Sequence, residues 1–317
     1  MLRVGVSNNG KAEVWTYDNY NYEDEWTPMS STGFDANDTI VRTLFVDPSG
    51  NFYAGTSNNS GAEVYQFDIG PPPRWTAIGN LPNNITSVRS MVWYNNKLYI
   101  GVRNDTDGAN IYRYDGGGTL TAIASAGFGD PTQNTVVWDM AVFQNKLYAY
   151  VSGALGSTDS LEIYRYDGSS WEKVVGEGKS LGRGFGYSSN LANSMINHQD
   201  SGLYVSTIDV DQGGQVWHSP NGTDWTQINL NGFGQSSNYA VSALEVVSLN
   251  SYLVAGTYND DGAEAWWVDL EEVENPVPDS FPTTGKYRNY FVLILGLMAI
   301  FGLYILPNYK IRVKKDK

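Results

Sequence analysis

Between Val137 and Val175 apolar and polar residues alternate in four short runs separated by turn residues. Val137-Trp138-Asp139-Met140-Ala141-Val142-Phe143 is the first, and Lys146 to Val151 the second, across Gln144-Asn145. Leu161 to Tyr166 is the third, and Trp171 to Val175 the fourth, after Asp167-Gly168. Alternation with β-branched and aromatic residues predicts strands, and Asn, Asp and Gly mark the turns. The same order recurs along the chain. Lys97-Leu98-Tyr99-Ile100-Gly101 leads into Ala109-Asn110-Ile111-Tyr112-Arg113-Tyr114-Asp115-Gly116. Other copies open at Phe52-Tyr53-Ala54-Gly55-Thr56, Leu203-Tyr204-Val205 and Tyr252-Leu253-Val254. The opening Tyr falls at 53, 99, 148, 204 and 252, spacings of 46, 49, 56 and 48. Met1 to Asp18 is a sixth copy that begins partway through, and no helical period appears before Tyr290.

Four-stranded units of about 40–50 residues, repeated four to eight times, are the mark of a β-propeller. The expectation is an all-β domain over residues 1–270, with six four-stranded blades and incomplete terminal blades. Its 22 Tyr, 11 Phe and 10 Trp can fill the spaces between blades. The first copy supplies strands at Leu2–Ser7, Ala12–Tyr17 and Glu25–Pro28. The last supplies Ser242–Ser248, Tyr252–Thr257 and Ala263–Val268. Closing such a ring by pairing the termini calls for residues before Met1. Turns such as Asp167-Gly168-Ser169-Ser170-Trp171 and Ser219-Pro220-Asn221-Gly222-Thr223-Asp224-Trp225 resemble Asp-box and kelch-type repeats. The Asp box lacks its residue between Asp and Gly, and the kelch double glycine is missing. The resemblance therefore implies architecture and transfers no activity.

The C-terminal region has a different pattern. A linker with a sorting-like motif covers 271–289, an uncharged apolar run 290–306, and a basic tail 307–317. Seventeen apolar residues approach the length needed to cross hydrocarbon as a transmembrane helix. Lys310, Arg312, Lys314, Lys315 and Lys317 follow the run, against Lys286 and Arg288 before it. That bias predicts a cytoplasmic tail and an outward-facing propeller. Phe281-Pro282-Thr283-Thr284-Gly285, apolar span and basic tail together resemble the LPXTG-type cell-wall sorting signal. The resemblance implies a sortase that cuts between Thr284 and Gly285 and joins Thr284 to the cell wall. Pro282, Thr284 and Gly285 match, whereas Phe281 stands where Leu is usual. A permanent single-pass anchor is the other reading. The N-terminus carries no export signal, so an outward domain again implies residues ahead of Met1.

Charge narrows the partners. The chain carries −14 at neutral pH; with seven basic residues and Asp316 after position 285, the preceding residues carry −20. Such a domain repels nucleic acid and attracts cations. The absence of Cys removes disulfide and thiol chemistry. Triplets at Asn37, Asn58, Asn84, Asn104 and Asn221 fit glycosylation sequons, although Asn- and Thr-rich chains produce such triplets by chance.

Two constellations are candidate sites. Gly127-Phe128-Gly129 with Asn134, Gly184-Phe185-Gly186 with Asn190, and Gly232-Phe233-Gly234 with Asn238 recur before the first strand of a unit. Gly33-Phe34-Asp35 with Asn37 is a variant, and Gly79-Asn80 marks a copy that has decayed. Phe128, Asn134, Phe185, Asn190, Phe233 and Asn238 either pack the seams or face a ligand. The second constellation is acidic: Asp105 and Asp107, Asp209 and Asp211, Asp260 and Asp261 lie in Gly-containing loops after second strands. Carboxylates there offer oxygen ligands to Ca²⁺, or are ordinary solvated turns. Glu13, Glu63, Glu162 and Glu264, with Asn110 and Gln215 at matching places, read as structural hydrogen-bonding groups on third strands. No catalytic set stands out: His198 and His218 lack zinc or triad partners, and the arginines are scattered.

The sequence thus supports a cell-surface, C-terminally anchored propeller acting as a binding or adhesion module for a glycan, peptide or protein. An extracellular polysaccharide hydrolase or lyase, which needs a carboxylate pair about 5–10 Å apart, is the alternative. A structural envelope component is the third.

Overall fold

The computed structural model describes residues 2–18, 25–29, 34–154, 160–188, 190–198, 201–247 and 252–270. The sorting-like motif, the apolar run and the basic tail lie outside them. Among the described residues no helix is long and apolar enough to cross a membrane. They form a nearly all-β structure of antiparallel sheets, interrupted by three short 3₁₀ turns. Two compact units divide it, one ending at Met140 and the other beginning at Ala141.

In the first unit β1 (Leu2–Asn8), β2 (Lys11–Asp18) and β3 (Glu25–Pro28) make a three-stranded meander. A four-stranded one follows: β4 (Ile40–Val46), β5 (Phe52–Ser57), β6 (Val64–Asp68) and β7 (Arg74–Ala77). The next contains β8 (Ser87–Tyr94), β9 (Lys97–Arg103), β10 (Ile111–Gly116) and β11 (Thr119–Ala124). β12 (Val136–Phe143) spans the division between the units. The second unit holds β13 (Lys146–Ser152), β14 (Glu162–Tyr166) and β15 (Trp171–Val175). Its four-stranded meander is β16 (Leu191–His198), β17 (Gly202–Ile208), β18 (Val216–Ser219) and β19 (Thr226–Gln227). β20 (Ala240–Val247), β21 (Tyr252–Tyr258) and β22 (Ala265–Asp269) complete it.

Strands form where the sequence pattern places them, because alternation buries one face and tight turns reverse the chain. Asn95-Asn96 and Gln144-Asn145 take left-handed backbone angles at the hairpins, the geometry that two-residue hairpin turns require. Sheets meet by a repeated device. At three places the end of a second strand pairs with the start of the next first strand: Ser57↔Ser87, Arg103↔Val136 and Ile208↔Ala240. Second-strand glycines permit this approach: a Cβ on Gly5 or Gly101 would lie 2.6 Å from Val41 or Val137. Cores gather behind these seams, one around Ile85, Val88, Ile100 and Val102, another around Val216, Val241, Leu253 and Val268.

Candidate functional site

The recurrent Gly-Phe-Gly segments are turns with two successive left-handed residues. Gly127 and Phe128, Gly184 and Phe185, and Gly232 and Phe233 all have φ between 55° and 60°. Phe does not favour that region, and the cost is offset by stacking. Phe185 lies 4.3 Å from the Trp217 ring at 11°, and Phe233 4.9 Å from Trp266 at 11°. Phe34 stacks on Trp75 and meets Tyr65 edge-on; Phe128 is half-buried. Asn134, Asn190 and Asn238 are fully buried. Each donates its Nδ2 to the turn's glycine carbonyl at 3.0 Å, on Gly127, Gly184 and Gly232 respectively. These hydrogen bonds hold the turns together.

Backbone pairing corrects one assignment. Asn134, Asn190 and Asn238 each accept a backbone N–H from Ala109, Leu161 or Gly214. The residue doing so for Ala12 is Asp38, not Asn37, and for Ala62 it is Ile85. The third-strand acids and amides serve structure as expected. Four of them accept a hydrogen from the aromatic residue two positions on, which a strand places on the same face. The pairs are Glu13 with Trp15 (2.9 Å), Glu63 with Tyr65, Glu162 with Tyr164 (2.7 Å) and Gln215 with Trp217 (2.9 Å). Glu162, fully buried, also meets Lys173 at 2.8 Å and Arg183 at 3.1 Å. Arg113 and Arg165 pair with Asp115 and Glu172.

The acidic loops start as Asx turns. Asn104 Oδ1 accepts the N–H groups of Thr106 and Asp107, and Asp209 Oδ1 those of Asp211 and Gln212. Asn259 Oδ1 accepts the N–H of Asp261. Asp105 is held by Arg103 at 2.7 Å, Asp107 by Asn84, and Asp260 meets the Tyr239 hydroxyl. Among the described residues no three His, Asp or Glu side chains converge as a metal site. The structure therefore does not bring Asp105, Asp107, Asp209, Asp211, Asp260 and Asp261 together. One consequence was invisible in sequence. Asn238 Oδ1 accepts Asn259 Nδ2 at 2.9 Å, but Asp209 takes the place of Asn259 in the preceding copy, and buried Asn190 Oδ1 has no hydrogen-bond partner.

Where the turn has decayed, a cleft of about 220 Å³ opens in the first unit. In other copies the loop glycine abuts the turn: a Cβ on Gly108 or Gly213 would lie 2.5 or 2.6 Å from the backbone nitrogen of Gly127 or Gly232. Gly79-Asn80-Leu81-Pro82-Asn83 supplies no Gly-Phe-Gly turn. Leu81 drops into the core instead, beside Ala62 and Tyr112. The nearest atom to a Cβ on Gly61 is then Asn83 Cα at 3.4 Å. Asp35, Asn37, Asn58, Ser60, Glu63, Asn80 and Asn83 line the space. Amides, a hydroxyl and carboxylates alternate donors and acceptors over a short span, which suits a polyhydroxyl ligand.

Beneath the cleft the Tyr65 hydroxyl reaches two carboxyl groups, Asp38 at 2.7 Å and Glu63. It also accepts the Asp35 N–H at 2.9 Å. Asp38 is 1% exposed and takes the Thr56 hydroxyl at 2.7 Å. Burial pushes the Asp38 carboxyl above its ordinary value, against the hydrogen bonds from Tyr65, Thr56, Asp35 and Asn58. Burial together with the bonds to Glu63 and Asp38 drives the Tyr65 hydroxyl far up. This group braces the loops and fixes Glu63 at the cleft wall.

The sequence matches no protein-family model and no curated protein. Solved structures resemble it in fold. The periplasmic gluconolactonase of Pseudomonas aeruginosa aligns with TM-score 0.55 at 14% identity, over 85% of this chain and 79% of its own. The extracellular domain of a hybrid two-component system from B. thetaiotaomicron gives 0.52 at 17%, over 82% and 30%. A prolyl endopeptidase gives 0.51 at 11%, over 83% and 37%. This chain thus spans about a third of the last two. At such identities the likeness shows the fold alone, and that fold is β-propeller-like.

Proposed function

We propose that the chain is a binding module whose ligand is a glycan, held in the cleft between Asn58, Glu63 and Asn83. The carrying observation is that the cleft opens where the repeat abandons its own packing turn. In a repeat protein, a position that breaks the local rule is where function displaces stability. The amide-rich lining supports hydroxyl recognition, and the Tyr65-bound carboxyl pair braces the wall. Asp38 is too deeply buried to touch a substrate, so this pair supports binding in preference to polysaccharide cleavage.

The reading extends to a six-bladed ring displayed at the cell surface, with the 290–306 run as anchor and Thr284–Gly285 as the processing bond. The charge order of the C-terminal residues supports it. A glycan and peptide array probed with the purified full chain tests the function. Retention of a defined set of oligosaccharides, reduced by Asn80→Ala and Glu63→Gln, is the expected result. Retention of peptides alone would refute it.

A further inference from the structure

The acid beneath the cleft breaks a rule that its counterparts keep. In the second unit the residue that staples each turn is an amide, and it gives a hydrogen to a third-strand side chain. Asn190 Nδ2 donates to Gln215 at 2.8 Å, and Asn238 Nδ2 to Glu264 at 2.9 Å. Asp38 holds the same backbone place, accepting the Ala12 N–H, and the third-strand acid of its sheet is Glu63. Two carboxyl groups therefore stand where an amide and its acceptor belong.

The Tyr65 hydroxyl bridges them. A phenol carries one hydrogen and cannot donate to both. Its oxygen also accepts the Asp35 N–H, which leaves one lone pair. One added proton on Asp38 satisfies every atom: Asp38 donates to Tyr65, and Tyr65 donates to Glu63. Burial acts in the same direction, raising the Asp38 carboxyl above its ordinary value. No cation offsets the charge. Buried Glu162 meets Lys173 and Arg183, whereas among the described residues no Lys or Arg pairs with Asp38 or Glu63. The charged groups on the surrounding elements are Asp35 in the same loop, Arg42 on β4, and Lys11 and Glu13 beside Ala12 on β2. Arg42 turns to Ser57, Glu13 is held by Asn8 and Trp15, and Lys11 is exposed. β5 and the 79–84 loop carry no charge. Asp38 is buried, whereas Glu63 is half-buried and lines the cleft. Of the two, Glu63 is the one with room to move.

We infer that Asp38, Tyr65 and Glu63 hold one added proton as a chain, and that its loss frees Glu63 from the cleft wall. The cleft then keeps its glycan in acid and releases it as pH rises. This rests on the reading that the cleft binds glycan. Once Asp38 is ionised, two carboxylates compete for a single phenol hydrogen, and like charges at that range repel. The half-buried partner gives way, and the wall between Asn58 and Asn83 loses its carboxylate.

The test is the glycan array probed with the full chain at several pH values between about 4 and 8, which brackets ordinary and raised carboxyl groups. Equilibrium titration with the retained oligosaccharides then gives affinities. They should fall about ten-fold as pH rises, the usual scale of coupling between two binding events. Asp38→Asn supplies the hydrogen permanently, as Asn190 and Asn238 do, and should hold the acid affinity throughout. Tyr65→Phe removes the bridge, and should lower affinity in acid and flatten the profile. Infrared difference spectra between the two ends of the range should show a protonated-carboxyl band that Asp38→Asn removes, with the urea midpoint confirming that each variant is folded. Affinity independent of pH in the unaltered chain would overturn the switch. So would a pH profile that Asp38→Asn leaves unchanged. An array that retains no glycan at any pH would overturn the cleft reading instead. The infrared band then decides the proton chain by itself, and its absence from the unaltered chain would remove that too.

Discussion

Asn190 and Asn238 occupy the same place in successive copies and differ in one respect, which allows the cost of each to be compared. Both are fully buried, and both donate to a turn carbonyl at 3.0 Å. Each also donates to a third-strand side chain, Gln215 at 2.8 Å or Glu264 at 2.9 Å. Replacement by Ala removes those two bonds in either copy, so they nearly cancel in the comparison. Asn238 additionally accepts from Thr257 Oγ1 at 3.2 Å and Asn259 Nδ2 at 2.9 Å. Asn190 Oδ1 accepts no hydrogen bond. Net hydrogen bonds contribute about 0.5–1.5 kcal/mol each. Thr257 and Asn259 have second acceptors at Glu264 O and Ser237 Oγ, which softens their loss. Asn238→Ala should therefore destabilise by about 1–2 kcal/mol more than Asn190→Ala. Urea unfolding followed by tryptophan fluorescence measures both, with m-values checked for equality. Equal costs, or a larger cost at Asn190, would refute the bonding scheme. Unchanged midpoints in both variants would return these residues to a ligand-facing role.

Further outcomes follow from the same geometry. Asp209→Asn places a donor opposite Asn190 Oδ1, as Asn259 does in the next copy, and should raise stability by about 1 kcal/mol; a fall in the urea midpoint would contradict it. Asp38 titrates above its ordinary value of 3.8, so the folded state binds its proton more tightly than the unfolded chain does. Its contribution favours folding below about pH 4 and is lost as pH rises through the folded value. Asp38→Asn should remove that component from the pH profile of the urea midpoint, and an unaltered profile would exclude it. Thr284→Ala with Gly285→Ala should abolish covalent wall attachment while membrane association persists, read by fractionation after muramidase digestion. Unchanged fractionation would make the apolar run a permanent anchor.

Much of the fold was legible because strands and hairpin turns are local properties. Leu2–Asn8, Lys11–Asp18 and Glu25–Pro28 form within a residue or two of the expected positions. The decayed copy at Gly79-Asn80 was visible as a missing motif. The cleft was not, since it depends on Leu81 turning inward and on what Gly61 meets across the gap. Asp38 escaped because the distance from Phe to the stapling residue varies among copies. Only the backbone bond from Ala12 reveals its equivalence to Asn134, Asn190 and Asn238. The bulges at Arg42 and Arg89 escaped because a bulge adds a residue without disturbing apolar alternation enough to be counted. Register against β5 and β9 exposes it.

The most direct test of the account is to close the cleft and leave the rest of the molecule alone. Ser60 contributes its backbone N–H to Asn58 Oδ1, and its exposed side chain borders the space. Ser60→Trp should therefore fill the cleft without breaking the turn. Affinity for the oligosaccharides retained on the array, measured by equilibrium titration alongside the melting temperature, decides the matter. The account predicts loss of glycan binding with melting unchanged. Undiminished affinity in a variant that melts normally would contradict it.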